Sequence, residues 1–173
     1  MHTQSGDSFA YSWHHVYTGK HEKGMIMTDE DTRAIADWFS AWDKLVDGVD
    51  FVPARDLFDE GVIGFGTRMD TVKGLEHLEA DQWRRVWPTI DGFRFDVSTL
   101  ECLFSPDRLQ AVGIVVWTST GYHENGTVFD RPGRATVVFR RPDASAPWKA
   151  VHTHISLNPG TPQRSFGDRP AAS

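Results

Sequence analysis

At 173 residues the chain suits one domain with a sizeable core, and it leaves little room for a second. A net charge of −6 without a Lys/Arg block excludes the electrostatic footprint of a nucleic-acid binder and the polybasic patch of a membrane-surface protein. The single Cys102 excludes an internal disulfide and a cysteine-built zinc site, and no apolar run approaches the roughly 18 residues of a membrane span.

Residues 1–24 are polar and His-rich and lack the apolar stretch of a secretory leader, so the sequence reads as a soluble, cytoplasmic protein. Residues 1–27 have no clear period and read as an unstructured tail or as a short strand docking on the body. The first strong signal follows. Thr28 and Asp31 stand in capping-box positions, and Ile35, Trp38, Phe39, Trp42, Leu45 and Val46 form one apolar stripe that Gly48 would cap. A short second helix is predicted around Pro53, Ala54, Leu57 and Phe58. Residues 61–68 read as a glycine-bearing strand, and a third helix runs from Asp70 or Thr71 to Trp87, stopped by Pro88.

From Phe93 onward the chain reads as strands. Phe93, Phe95 and Val97 share one alternation phase, whereas Leu100, Cys102 and Phe104 share the other, a change that a β-bulge produces. Further strands are predicted over 110–122, 134–141 and 148–157, and the Pro-, Gly- and Ser-rich residues 159–173 read as a disordered tail. Helices followed by consecutive strands define an α+β fold: a curved antiparallel sheet wrapped by three N-terminal helices, with a cone-shaped cavity between them. The domain spans residues 28–158.

This order of elements, together with the stretch Ala135–Arg141, a turn, and Trp148–Ser156, resembles the nuclear transport factor 2-like superfamily, especially its SnoaL-like branch. The last hairpin is also similar to the association domain of calcium/calmodulin-dependent kinase II. The resemblance covers about Asp29 to Asn158. It implies the cystatin-like cone, a homodimer through the outer sheet face and no cofactor. In association-domain relatives arginines line the cavity, and the matching positions here, Trp117, Val137 and Ile155, are all apolar. The resemblance therefore implies an arginine-free pocket for a small apolar or aromatic molecule.

Trp42, Phe65, Trp87 and Trp117 are expected to line that pocket with Val137 and Ile155, while Trp38 belongs to the core. His152 and His154 share one face of the last strand. Because Val151, Thr153, Ile155 and Leu157 form its apolar phase, both imidazoles should point outward, in a structural rather than metal-binding role. Glu101 and Asp70 are candidate bases by position alone, since no motif surrounds either. Gly64-Phe65-Gly66 is not a dinucleotide fingerprint, and Arg84-Arg85 and Arg140-Arg141 read as solvated pairs. The leading expectation is a homodimeric binder of a small apolar molecule, with cofactor-free proton transfer, dehydration or cyclisation as possible chemistry. The alternative is a non-catalytic association module.

Overall fold

A computed structural model describes residues 21–167, with residues 21–28 as backbone only. The tail or docking strand expected over 1–20 lies outside the described residues. Helix α1 spans His21–Gly48 and so starts upstream of the expected cap at Thr28. Asp31 is consequently not a capping residue. It is buried, and its carboxylate accepts from Arg108 Nε at 2.6 Å and lies 3.1 Å from an Arg141 terminal nitrogen. Arg141 is thus buried rather than solvated, with its guanidinium 4.0 Å over the Trp148 ring. The apolar stripe of α1 holds as read: Ile35, Trp38, Phe39, Trp42 and Val46 are all buried.

The end of α1 differs in one detail. Val49 N–H donates to Val46 O at 3.1 Å and Asp50 N–H to Leu45 O at 2.9 Å, which is Schellman pairing. The left-handed residue is Val49, at φ 53°, and not Gly48. A β-branched residue there costs about 1–2 kcal/mol, offset in part by packing of Val49 against the core. Helix α2 is short, Phe51–Arg55.

Strand β1, Phe58–Phe65, begins where the second helix was expected to continue, and β2 is Val72–Lys73. Helix α3 covers 75–89 but is not a regular α-helix. It opens at Leu75–His77, widens into a π-helical segment at Leu78–Trp83, continues at Arg84–Val86 and tightens to 3₁₀ at Trp87–Thr89. Pro88 falls within that last turn. The remaining strands are β3 Asp91–Phe104, β4 Gln110–Tyr122, β5 Val128–Asp130, β6 Gly133–Arg140 and β7 Lys149–Leu157.

The sheet runs β2-β1-β7-β6-β4-β3, with β5 beside β4. The fold is α+β as expected, but the sheet is mixed, because β1 and β7 pair in parallel. Between Asp96 and Glu101 the register of β3 against β4 shifts, which supplies the phase change read from the sequence and bends the strand. A second shift lies between Val138 and Phe139, whose partners are His152 and Ala150. Val151 is the extra residue, so Ala150, not Val151, is the buried member at the start of β7, followed by Thr153 and Leu157.

Residues 159–167 are not disordered as their composition suggested. Phe166 N–H donates to Tyr122 O at 2.9 Å, Ser165 Oγ accepts from Tyr122 N–H at 2.9 Å, and the same hydroxyl donates to Thr89 O. These bonds satisfy backbone groups at the end of β4 that would otherwise face water.

Gly133 sits where a Cβ would come within 2.2 Å of the Trp117 ring and 2.3 Å of Ser156 O. Gly133→Ala is expected to destabilise the fold by about 1–3 kcal/mol through overpacking. Gly48→Ala, with nothing within 4 Å of the new methyl, should be neutral or stabilising by up to about 1 kcal/mol. Urea denaturation of the two variants checks both values.

Candidate functional site

Pairing registers sort the sheet into lateral rows. One inward row runs Cys102–Gly113–Val137–Thr153–Gly64. Its glycines admit helix side chains: a Cβ at Gly113 would meet Phe39 at 2.8 Å, and one at Gly64 would meet Leu78 at 3.0 Å. Val137, between them, is fully buried under this packing and does not reach the cavity wall. Farther along, Trp117 of β4 pairs with Phe95 and Gly133, while Ile155 pairs with Ala135. There Gly133 lets the Trp117 ring lie over β6, and a chamber forms between that ring, Ile155 and the helices α1 and α3.

The chamber holds about 40 Å³ and is walled by Trp42, Trp83, Trp87, Trp117, Phe93 and Ile155, with Gln82, Thr153 and Arg131 among the polar members. An antechamber of about 280 Å³ adjoins it, and the two share Thr67, Val86 and Arg131. The outer wall includes Gln163, Arg164 and Ser165 of the docked C-terminal segment. The inner space alone is far below the roughly 300 Å³ of an ordinary ligand pocket; together the two spaces reach that range.

Four of the expected lining residues, Trp42, Trp87, Trp117 and Ile155, face the chamber. Phe65 does not. Gly64 and Gly66 take the inward positions of β1 and the adjoining chain, where the Gln82 side chain occupies the space a Gly66 Cβ would need. Pleat alternation therefore turns Phe65 outward, onto the rings of His152 and His154 at 5.2 and 4.5 Å. Both histidines lie on the outer face, as the phase of β7 requires. His152 Nδ1 is 2.8 Å from Ile63 O, and burial, with His152 and Arg134 nearby, lowers the His154 pKa.

Neither candidate base reaches the chamber. Glu101 ends an outward row with Ile114, Thr136 and His154, and Asp70 is exposed beyond β1. No described residue lining the chamber is a carboxylate or a histidine.

The expectation of an arginine-free cavity is also overturned. The three positions inferred from the association-domain relatives are apolar, but Arg131, in the turn between β5 and β6, enters from elsewhere. Its backbone is fixed to β4, with Arg131 N–H donating to Ser119 O at 2.8 Å and Ser119 N–H to Arg131 O at 3.1 Å. Its side chain is buried, donates to Thr67 Oγ1 at 2.9 Å, and lies 5.5 Å from the Trp117 ring centre. Burial pushes its pKa down to about 10, so it remains a cation at neutral pH. In the sequence this residue stands in an Asp-Arg-Pro-Gly stretch, which carries no sign of burial. Gln82 was missed as well: helical spacing sets it on the face of Leu75, Leu78 and Val86, but a polar side chain in that stripe gives no sign of burial.

The polar atoms around the chamber are incompletely satisfied. Trp42 Nε1, Trp117 Nε1, Gln82 Oε1 and Arg131 Nε are buried without hydrogen-bond partners. Trp38, by contrast, donates its indole N–H to Leu57 O at 3.1 Å, as befits a core residue.

One buried acid lies next to this region on α1. Asp43 follows Trp42 and accepts from Phe95 N–H at 3.3 Å. Burial raises its pKa above the ordinary 3.8, against the lowering by that bond and by Arg94 and Lys44. The folded carboxyl holds its proton more tightly than the unfolded one, so ionisation opposes folding as pH rises through and above 3.8. Asp43→Asn should therefore raise the denaturation midpoint at pH 7, and the gain should vanish below pH 3.8. Paired denaturation curves at the two pH values measure this.

No family model matches the chain, and no curated protein matches it. Solved structures do match its fold. A nuclear transport factor 2-like superfamily protein of Salmonella enterica serovar Typhimurium superposes with a TM-score of 0.64 at 17% identity, covering 78% of this chain and 96% of its own. A hexachlorocyclohexane dehydrochlorinase of Novosphingobium barchaimii gives 0.63 at 19%, with coverages of 78% and 90%. A protein described as a calcium/calmodulin-dependent kinase II association domain, from Xanthomonas campestris, gives 0.61 at 20%, with 75% and 89%. The fold is thus nuclear transport factor 2-like and cystatin-like. At these identities the likeness extends to the fold and no further.

Proposed function

We propose that the protein binds a small, mostly apolar or aromatic molecule in the tryptophan-walled chamber and its antechamber. The observation that carries this reading is the set of unpartnered polar atoms on the chamber walls. Native interiors rarely leave indole N–H groups and amide oxygens unsatisfied, because each costs about 1–3 kcal/mol when buried without a partner. Two such indoles and an amide on one cavity are what a bound molecule with polar edges would complete. The same fold in the Novosphingobium dehydrochlorinase is consistent with use of this cavity for small molecules. Proton transfer, dehydration or cyclisation would require a base within hydrogen-bond reach of the substrate. With Glu101 and Asp70 outside the chamber, the proposal is binding rather than catalysis.

Heteronuclear NMR of the indole N–H groups tests the reading against a panel of one- and two-ring aromatics, alongside thermal shift. Trp42 and Trp117 signals should move with at least one compound that also raises the melting temperature. No shift and no stabilisation across the panel would remove the proposal.

A second observation favours self-association through the outer sheet face. The row Leu103–Val112–Val138–His152–Ile63 crosses five strands on that face, and Leu103, Ile114, Val116 and Ile63 are exposed by 62, 43, 43 and 40%. Apolar exposure concentrated on one face marks an interaction surface. This supports a homodimer, and it is compatible with ligand binding on the opposite face. Light scattering should give twice the chain mass, and Ile114→Lys should give the monomer. A monomeric wild type at high concentration would refute it.

A further inference from the structure

The chamber's polar inventory is one-sided. Three of the four unpartnered atoms on its walls, Trp42 Nε1, Trp117 Nε1 and Arg131 Nε, are donors. Arg131 is only 3% exposed. Among the described residues no Asp or Glu oxygen lies within ion-pairing distance of its guanidinium, and burial alone perturbs it. A buried cation without an opposite charge is disfavoured, and proteins normally pair such groups. The Thr67 hydroxyl and a 5.5 Å contact with the Trp117 ring are neutral partners that offset little of the lost hydration.

The antechamber repeats the pattern. Arg68, Arg85, Arg131 and Arg164 line it, and no acidic residue does. Arg85 is engaged by Asp81 at 3.3 Å, and Arg164 lies 4.2 Å over the Phe166 ring. In a chain of net charge −6, a concave mouth with four arginines and no carboxylate focuses anions toward Arg131.

We propose that the molecule bound in the chamber is an organic anion, with its apolar body among the tryptophans and its anionic oxygens on the Arg131 guanidinium. This rests on the binding reading above and narrows it from any apolar molecule to an aryl or alkyl carboxylate. Arg131 Nε–H and the indole N–H groups of Trp42 and Trp117 are the donors such a head would satisfy. Thr67 Oγ1, which accepts from an Arg131 terminal nitrogen at 2.9 Å, orients the guanidinium.

Phenylacetate and its neutral isostere phenylacetamide separate the two claims. Each is titrated into the full-length protein, and the Trp42 and Trp117 indole signals report occupancy of the chamber. Phenylacetate should bind at least about ten-fold more tightly than the amide, as charge-assisted hydrogen bonds require. Added salt should weaken the acid and leave the amide unaffected. Arg131→Gln should bring the two ligands to within about two-fold of each other, while Arg131→Lys keeps part of the preference. Equal affinities in the wild type, or a preference for the acid that survives Arg131→Gln, would overturn the proposal; the wild-type ratio decides even if that variant does not fold. Binding of the amide alone leaves the chamber as an apolar site and removes the anion. If neither compound moves the indole signals, the anion proposal fails, and the aromatic panel above decides the binding reading separately.

Discussion

Side chains alternate across a strand, and in this protein that constraint divides the sheet between two tasks. On β7 the residues Thr153, Ile155 and Leu157 must take one face if His152 and His154 take the other. The register then carries the choice to every neighbour: Val137 and Gly64 go inward with Thr153, and Thr136 and Phe65 go outward with His154. A shift of one residue would place the imidazoles in the chamber and the apolar row in water. The bulge at Val151 absorbs the irregularity before the decisive residues, so Ala150 packs into the core without disturbing the phase beyond it.

Where the cavity lies is set by small residues rather than large ones. Gly113 and Gly64 let Phe39 and Leu78 press onto the sheet, and that end is solid core. Gly133 lets the Trp117 ring lie across β6. The π-helical segment of α3 then brings Gln82 and Trp83 over the opening. Trp83 stacks on Trp87 at 4.8 Å, and Trp87 on Phe51 at 5.2 Å, so the roof is a continuous aromatic layer. A roof of this kind leaves little internal volume and makes the antechamber, walled in part by the docked C-terminal segment, part of any binding space.

Arg131 is the group that stability alone does not explain. A buried guanidinium with one hydroxyl partner is less favourable than an apolar residue of similar size would be. Asp31, Arg108 and Arg141 at the opposite end of α1 show the contrast, since there a buried carboxylate lies 2.6 and 3.1 Å from the two guanidinium groups and balances their charge. Unpaired donors collected around one cavity are the kind of local cost that folds retain at binding sites.

The apolar stripe of α1, the long bent β3, the strands that follow and the α+β class were legible in the sequence, because each rests on a local period or on turn chemistry. The outward face of His152 and His154 was legible too, from alternation in a single strand. The parallel pairing of β1 with β7 and the docking of residues 159–167 depend on partners far away in the chain. The site divides in the same way. Trp42, Trp87, Trp117 and Ile155 follow from apolar phase, whereas Phe65 was misplaced because glycines on either side of it took the inward positions. Arg131 was invisible because a charged residue in an Asp-Arg-Pro-Gly turn is ordinarily solvated, and only the bonding of its backbone to Ser119 carries it inside. The sequence by itself determined which faces are apolar, since that needs only the period of each segment. The tertiary structure decided which polar groups are trapped behind those faces, since burial is a property of what packs on top.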